Sequence, residues 1–311
     1  MRIRTLILVV VIAALLATAS TAETLSELKA RMDKFADGFH GTLGYCLVAP
    51  GKTEPSITRN GDEVFPTAST IKTAIMVEVV HQVEQGKLKW SDRVEVQRGD
   101  WDRQEGGFAY YFKDGTKLPI DQWVHLMITV SDNTATMLLR EHIGQKNVND
   151  WLESHGFKQT KLLNGKKCDE LGLRPLQRKY GLGMTTPNEM ARLIGMIRDG
   201  KAGTPASCDR MMRLLGHQYW DDGIAGQVPP GHCFNKTGAI DRCRSDVAVV
   251  DSPGGEYILV IYTKNQADTS WGTSNEGTAA IRALAAMVWR HFDPSRTWSP
   301  PTGETDLLPA D

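Results

Sequence analysis

Ser69-Thr70-Ile71-Lys72 sets a lysine three residues after a serine, where an apolar helical pattern begins. Residues i and i+3 of a helix share a face one turn apart, so the Lys72 amine can reach the Ser69 hydroxyl. A serine is a weak nucleophile until a neighbouring base takes its proton, and free N–H groups at a helix start favour a developing oxyanion. Alone the pair is weak: about one such spacing is expected by chance in a chain of this length, and Ser26-Glu27-Leu28-Lys29 is another. Ser131-Asp132-Asn133 offers a second hydroxyl, able to pass a proton to a leaving nitrogen, and a carboxamide able to grip an amide. Its plain structural reading is a helix cap. Lys236-Thr237-Gly238 puts a cation beside a residue that lets a ligand approach the backbone. Its plain structural reading is an edge-strand lysine that discourages aggregation.

The elements around these residues follow from periodicity. Leu25, Leu28, Met32 and Phe35 have helical spacing. Thr42 to Pro50 reads as a buried strand ending in a turn. Ile71, Ala74, Ile75, Val79 and Val83 share one face of a helix that starts at Ser69 and stops before Gly86. Helical spacing returns from Pro119 to Ile128 and again, after Ser131-Asp132-Asn133, up to Gly144. Leu162 to Met184 has no sustained period and reads as a long loop, a length that usually signals function or disorder. Thr186-Pro187-Asn188-Glu189 predicts a helix start, with Thr186 as N-cap and Glu189 closing a capping box. Phe234 to Ala239, Asp246 to Asp251 and Tyr257 to Tyr262 read as antiparallel strands, and a last helix spans about Thr278 to Phe292. Strands near both termini with helices between them predict an α+β fold, in which one antiparallel sheet is built from both ends and an all-helical lobe is inserted.

Composition bounds the partners. The 311 residues are 41% hydrophobic and 23% charged, with a formal net charge of -1, so no basic excess exists to neutralise a nucleic acid backbone. Met1 to Arg4, the apolar run Leu6 to Leu16 and the small residues Ala17 to Ala22 have the layout of a secretory signal, with cleavage expected after Ala22. The alternative is an uncleaved anchor, but the apolar run is short of the ~20 residues a spanning helix needs. The expected organisation is a signal peptide over 1–22, one domain over 23–292 and a disordered tail over 293–311, exported to the periplasm or secreted, acting as a monomer without membrane attachment. The five cysteines (Cys46, Cys168, Cys208, Cys233, Cys243) are odd in number, so not all can pair within one chain. A Cys233–Cys243 bridge across a hairpin and two buried thiols are equally open readings. No Cys or His spacing fits a zinc site, and no metal or cofactor is expected.

Taken together and in this order, the serine-lysine pair, Ser-Asp-Asn and Lys-Thr-Gly resemble the signature set of class A β-lactamases and the related penicillin-binding proteins. Val64 to Ser69 and Leu126 to Thr136 are also similar to the class A versions. The resemblance spans nearly the whole mature chain and fails in the long loop and the tail. It implies that Ser69 attacks a β-lactam carbonyl, that Lys72 assists its deprotonation, and that Ser131 relays a proton to the ring nitrogen. It further implies that Asn133 holds the acylamino side chain, that Lys236 and Thr237 hold the substrate carboxylate, and that the Ser69 and Ala239 N–H groups form the oxyanion hole beside Gly238. Arg242 or Arg244 would add carboxylate binding.

The departure lies in the base for deacylation, which the family writes Glu-x-x-Leu-Asn. Counting back from Thr186-Pro187 lands on Glu170-Leu171-Gly172-Leu173-Arg174, with arginine in place of the final asparagine. A guanidinium beside Glu170 would depress its basicity or form an ion pair with it. In the other register Cys168 takes the base position and the acyl-enzyme stalls. The competing readings are therefore a D-alanyl-D-alanine peptidase acting on peptidoglycan stem peptides, a slow-turnover penicillin-binding protein, and a non-catalytic binding protein.

Overall fold

The computed structural model describes residues 23–97, 99, 107–295 and 298–300; the expected signal segment and residues 301–311 of the expected tail lie outside them. The chain runs through α1 (Leu25–Asp37), β1 (Thr42–Val48), β2 (Ile57–Arg59), β3 (Phe65–Pro66), α2 (Lys72–Glu84), β4 (Arg93–Glu95), β5 (Lys117–Pro119), α3 (Ile120–Thr129) and α4 (Asn133–Ile143). It continues through α5 (Gln145–Ser154), β6 (Lys161–Leu162), α6 (Arg174–Tyr180), β7 (Gly183–Thr185), α7 (Pro187–Arg198) and α8 (Pro205–Leu215), then β8 (Cys233–Ile240), β9 (Cys243–Val250), β10 (Tyr257–Lys264) and α9 (Glu276–Phe292).

One antiparallel sheet, in the order β2-β1-β10-β9-β8, is assembled from both ends of the chain. Its central strands are buried almost without interruption because both faces are covered. Tyr45, Leu47, Ala248, Leu259 and Ile261 pack toward α1 and α9, while Cys46, Val48, Val247, Val249, Val260 and Tyr262 pack with the inserted helices. The alternation of period two thus divides the apolar residues between two cores, and the second core merges with the helical lobe built on α2, α3, α4 and α5. The edge strand β8 and the start of α2 meet where the lobes join. Among the described residues no helix is long and apolar enough to cross a membrane.

Several expectations need correction. The segment read as one long loop contains α6, which has no buried residue and so left no apolar period; Pro175 opens it and Gly181, at φ 73°, ends it. All five cysteines are free and buried. The turn between β8 and β9 is only Asp241-Arg242, so Cys243 pairs with Ile240 while Cys233 pairs with Val250 at the far end of the hairpin, and no bridge forms. The beginning of the expected disordered tail packs on the fold, with Trp298 against Trp289 at 6.2 Å between ring centroids.

Thr186 caps α7 by accepting from the Glu189 N–H at 3.1 Å, but the Glu189 side chain does not turn back to close a box. Its carboxylate accepts from the backbone N–H groups of Lys158, Gln159 and Thr160 and from the Thr160 hydroxyl, which pins the entry to β6. Replacing Glu189 by alanine strands these donors, and the expected loss is about 2 kcal/mol of unfolding free energy in urea titrations. An effect within about 0.5 kcal/mol of zero, the range of ordinary surface changes, would contradict this role.

Candidate active site

Ser69 sits in a 3-10 turn, Ala68–Ile71, that runs directly into α2. The turn is held from every side. The Thr67 N–H donates to the Gly183 carbonyl at 2.9 Å, the Ser245 hydroxyl to the Thr67 carbonyl at 3.3 Å, and the Cys243 thiol to the Pro66 carbonyl at 3.6 Å. The Thr70 hydroxyl lies 2.6 Å from the phenol of Tyr262 on β10. Ala68 has φ 45°, a left-handed conformation costing about 1–3 kcal/mol that persists only where neighbours enforce it.

Lys72 is completely buried, and its ammonium donates to the Ser131 carbonyl at 2.7 Å, the Ser131 hydroxyl at 3.1 Å and Asn133 Oδ1 at 2.7 Å. Ser131 is itself held at φ 59°. Asp132, between the two site residues, turns elsewhere. One carboxylate oxygen caps α4 through the Ala135 N–H and the other accepts from the Ala109 N–H, both at 2.8 Å. The structural reading of Ser-Asp-Asn as a helix cap therefore holds for Asp132, while Ser131 and Asn133 turn to Lys72.

Across the seam, a Cβ on Gly238 would lie 3.1 Å from the Ser69 backbone nitrogen, 2.7 Å from the Thr67 carbonyl and 2.6 Å from the Ser245 hydroxyl. Only glycine lets β8 approach the Ser69 turn this closely. Lys236 is as buried as Lys72 and donates to the Thr237 carbonyl at 3.2 Å. Burial, and then the nearby Lys72 charge, hold its amine well below the ordinary lysine range, with Asp246 opposing them. Thr237 is half-buried, and Ala239 is exposed next to Gly238.

The hydrogen bonds of three sequence-derived residues, Arg244, Arg242 and Glu170, do not tie them into this cluster. Arg244 pairs with Ala239 near the tight hairpin turn. Its guanidinium is consumed by the carbonyls of Ile240, Cys243 and Ser270 and lies over the Trp271 ring at 4.7 Å. Arg242 is exposed and donates to the Gln266 carbonyl. Glu170 is exposed, and its carboxylate has no hydrogen bond or ion pair among the described residues. The guanidinium of Arg174 engages Asp169, at 2.7 and 2.6 Å, and the Gln177 carboxamide, so the expected Arg174–Glu170 coupling is absent. Cys168 is buried and its thiol reaches Gln177 Oε1 at 3.5 Å.

Sequence reasoning missed Asp246. It faces Thr237 across the ladder, accepts from Asn235 Nδ2 at 3.0 Å and the Ile224 N–H at 2.8 Å, and is almost fully buried. Its signal was an acid at the head of the apolar strand run Val247 to Val250.

The chain belongs to the beta-lactamase enzyme family, whose model matches residues 27–292. It is 30% identical to the extended-spectrum beta-lactamase PER-1 of Pseudomonas aeruginosa over 90% of this chain and 92% of that one. It is 31% identical to beta-lactamase PSE-4 of the same organism, over 71% and 76%. Among solved structures, the beta-lactamase from Sphaerobacter thermophilus superposes with a TM-score of 0.74 at 28% identity, covering 90% of this chain and all of that one. PBP-A, seen as a mutant in acyl-enzyme complex with penicillin G, shares the fold, with a TM-score of 0.75 at 24% identity over 88% and 98% of the two chains.

Burial raises the Asp246 carboxyl to about 6, against the lowering by its two hydrogen bonds and Lys236. The native state therefore holds this proton more tightly than the unfolded chain. The stability so contributed is complete below about pH 4 and lost as pH rises through 6, up to about 3 kcal/mol. Urea unfolding of the native protein and Asp246→Asn at pH 5 and pH 8 should show the native advantage shrinking at the higher pH. A pH-independent difference would place the proton elsewhere.

Proposed function

We propose that this serine hydrolase opens β-lactam rings through an acyl-enzyme on Ser69. The observation that carries the reading is the buried amine of Lys72, at the start of the helix that the Ser69 turn runs into, which reaches both Ser131 and Asn133. In the reaction, Lys72 in its neutral form takes the Ser69 proton as Oγ attacks the lactam carbonyl. The oxyanion is met by the N–H groups of Ser69 and Ala239, a pairing supported by the close approach of Gly238 to the Ser69 backbone nitrogen. As the C–N bond breaks, Ser131 delivers a proton to the ring nitrogen and is reprotonated from Lys72, so the proton from Ser69 ends on the leaving nitrogen. Asn133 holds the acylamino group, and Lys236 with Thr237 holds the carboxylate.

Water must then cleave the ester. Glu170 is assigned to activate it, because it is the acid of the loop that Arg174 leaves uncommitted. The exposure of Glu170, with Cys168 buried two residues earlier, favours a second reading in which deacylation is slow and the protein acts as a penicillin-binding peptidase on D-alanyl-D-alanine ends. In either case the protein works as a monomer exported to the periplasm or secreted, without a cofactor.

Intact-mass measurements with benzylpenicillin, from seconds to hours, test these readings. A one-to-one adduct should appear on the native protein, vanish as penicilloate accumulates, fail to form in Ser69→Ala and persist in Glu170→Gln. A native adduct lasting hours would select the peptidase reading, and a native protein that is never labelled would end both. Gly238→Ala should slow adduct formation by about 100-fold or more, the usual cost of losing an oxyanion donor. Labelling at the native rate would show that the close approach of β8 is dispensable.

A further inference from the structure

The carbonyls that close α3 have no continuing helix to receive them. Among these and the residue that follows, the Ile128 carbonyl accepts from Gln218 Nε2 at 3.1 Å, the Thr129 carbonyl from the Tyr219 N–H at 2.8 Å, and the Val130 carbonyl from Trp220 Nε1 at 3.2 Å. Three successive residues beyond α8 thus grip three successive carbonyls, and the next residue is Ser131. The Gln218 carboxamide oxygen also accepts from the Trp220 N–H at 3.3 Å, which ties the two ends of the grip together. Tyr219 and Trp220 are 65% and 45% exposed, although large aromatic rings gain most from burial, and their rings meet edge-on at 5.2 Å. Their place at the surface is therefore set by the hydrogen bonds rather than by packing.

We infer that Gln218, Tyr219 and Trp220 form a clamp that positions Ser131, with the Trp220 indole N–H as its contact nearest the proton relay. Ser131 adopts a left-handed backbone that a non-glycine residue leaves readily when released, and its hydroxyl has to stay within reach of the Lys72 ammonium. Trp220 is a positioning residue acting through the Val130 carbonyl. The inference rests on Ser131 serving the acyl transfer described above. Because the clamp acts on the step in which Ser131 moves a proton, its loss should slow acylation and spare hydrolysis of an ester already formed.

Trp220→Phe keeps an aromatic ring at the position and deletes the donor. The expected result with benzylpenicillin is Ser69 labelling slowed roughly 10-fold, a modest part of what a positioned acid contributes, with the thermal midpoint and the decay of preformed adduct unchanged. In a Ser131→Ala background the same substitution should then have no further effect on labelling. Gln218→Leu, which removes a second donor, should reproduce the pattern if Trp220→Phe fails to fold. Labelling of Trp220→Phe at the native rate, or an equal slowing in the Ser131→Ala background, would overturn the clamp. A native protein that never acquires an adduct would instead remove the acyl-transfer reading on which it stands.

Discussion

Two ammonium groups buried in one seam constrain everything around them. A lysine taken out of water costs several kcal/mol unless protein oxygens replace its hydration, and a second cation nearby adds repulsion. Lys72 meets this cost with the carbonyl and hydroxyl of Ser131 and the carboxamide of Asn133. Lys236 donates to the Thr237 carbonyl, and its burial together with the nearby Lys72 charge makes its amine easier to deprotonate than an ordinary lysine's. The oxygens around Lys72 come from the residues that would handle substrate, so the solvation of the lysine and the assembly of the reaction centre are one arrangement. Moving Ser131 or Asn133 would leave a buried charge partly unsolvated, which makes the cluster resistant to drift.

The strain at Ala68 and Ser131 belongs to the same constraint. Left-handed conformations at non-glycine residues persist only where surrounding contacts over-determine them. Here the contacts are visible: Gly183, Ser245, Cys243 and Tyr262 around the nucleophile turn, and Gln218, Tyr219 and Trp220 below Ser131. Gly238 completes the arrangement by having no side chain, since any Cβ would collide with the Thr67 carbonyl and the Ser245 hydroxyl and crowd the Ser69 backbone nitrogen. Both strained residues lie at the seam between the lobes, so the packing of each lobe holds half of the site.

The helices with a long apolar face and the three C-terminal strands were legible from periodicity, because each buries a continuous side. The candidate cluster was legible because Lys72, Ser131, Asn133 and Lys236 lie within short motifs whose local spacing survives folding. Legibility failed where a role depends on a partner remote in sequence. Glu189 looked like a local cap but serves residues 158–160, Arg244 looked like a ligand-binding cation but is consumed by carbonyls at its own hairpin end, and Asp246 gave no sign of its contacts with Asn235 and Ile224. The helix α6 escaped because it buries nothing.

The two half-reactions are supported unequally by the fold. Every residue assigned to acylation lies on an element packed into a core or held by several hydrogen bonds. The residue assigned to deacylation lies on a stretch whose own contacts run among its members, from Cys168 through Gln177 and Arg174 to Asp169. That internal network fixes the shape of the stretch without fixing the Glu170 carboxylate, which faces solvent. On the proposed assignments, the formation of the acyl-enzyme is set by the packed seam, and its lifetime is set by the loop. Sequence change confined to residues 163–182 could therefore lengthen or shorten the intermediate while leaving the nucleophile, its base and its oxyanion donors untouched. On those assignments, the division between a hydrolase and a penicillin trap is in physical terms a property of that loop.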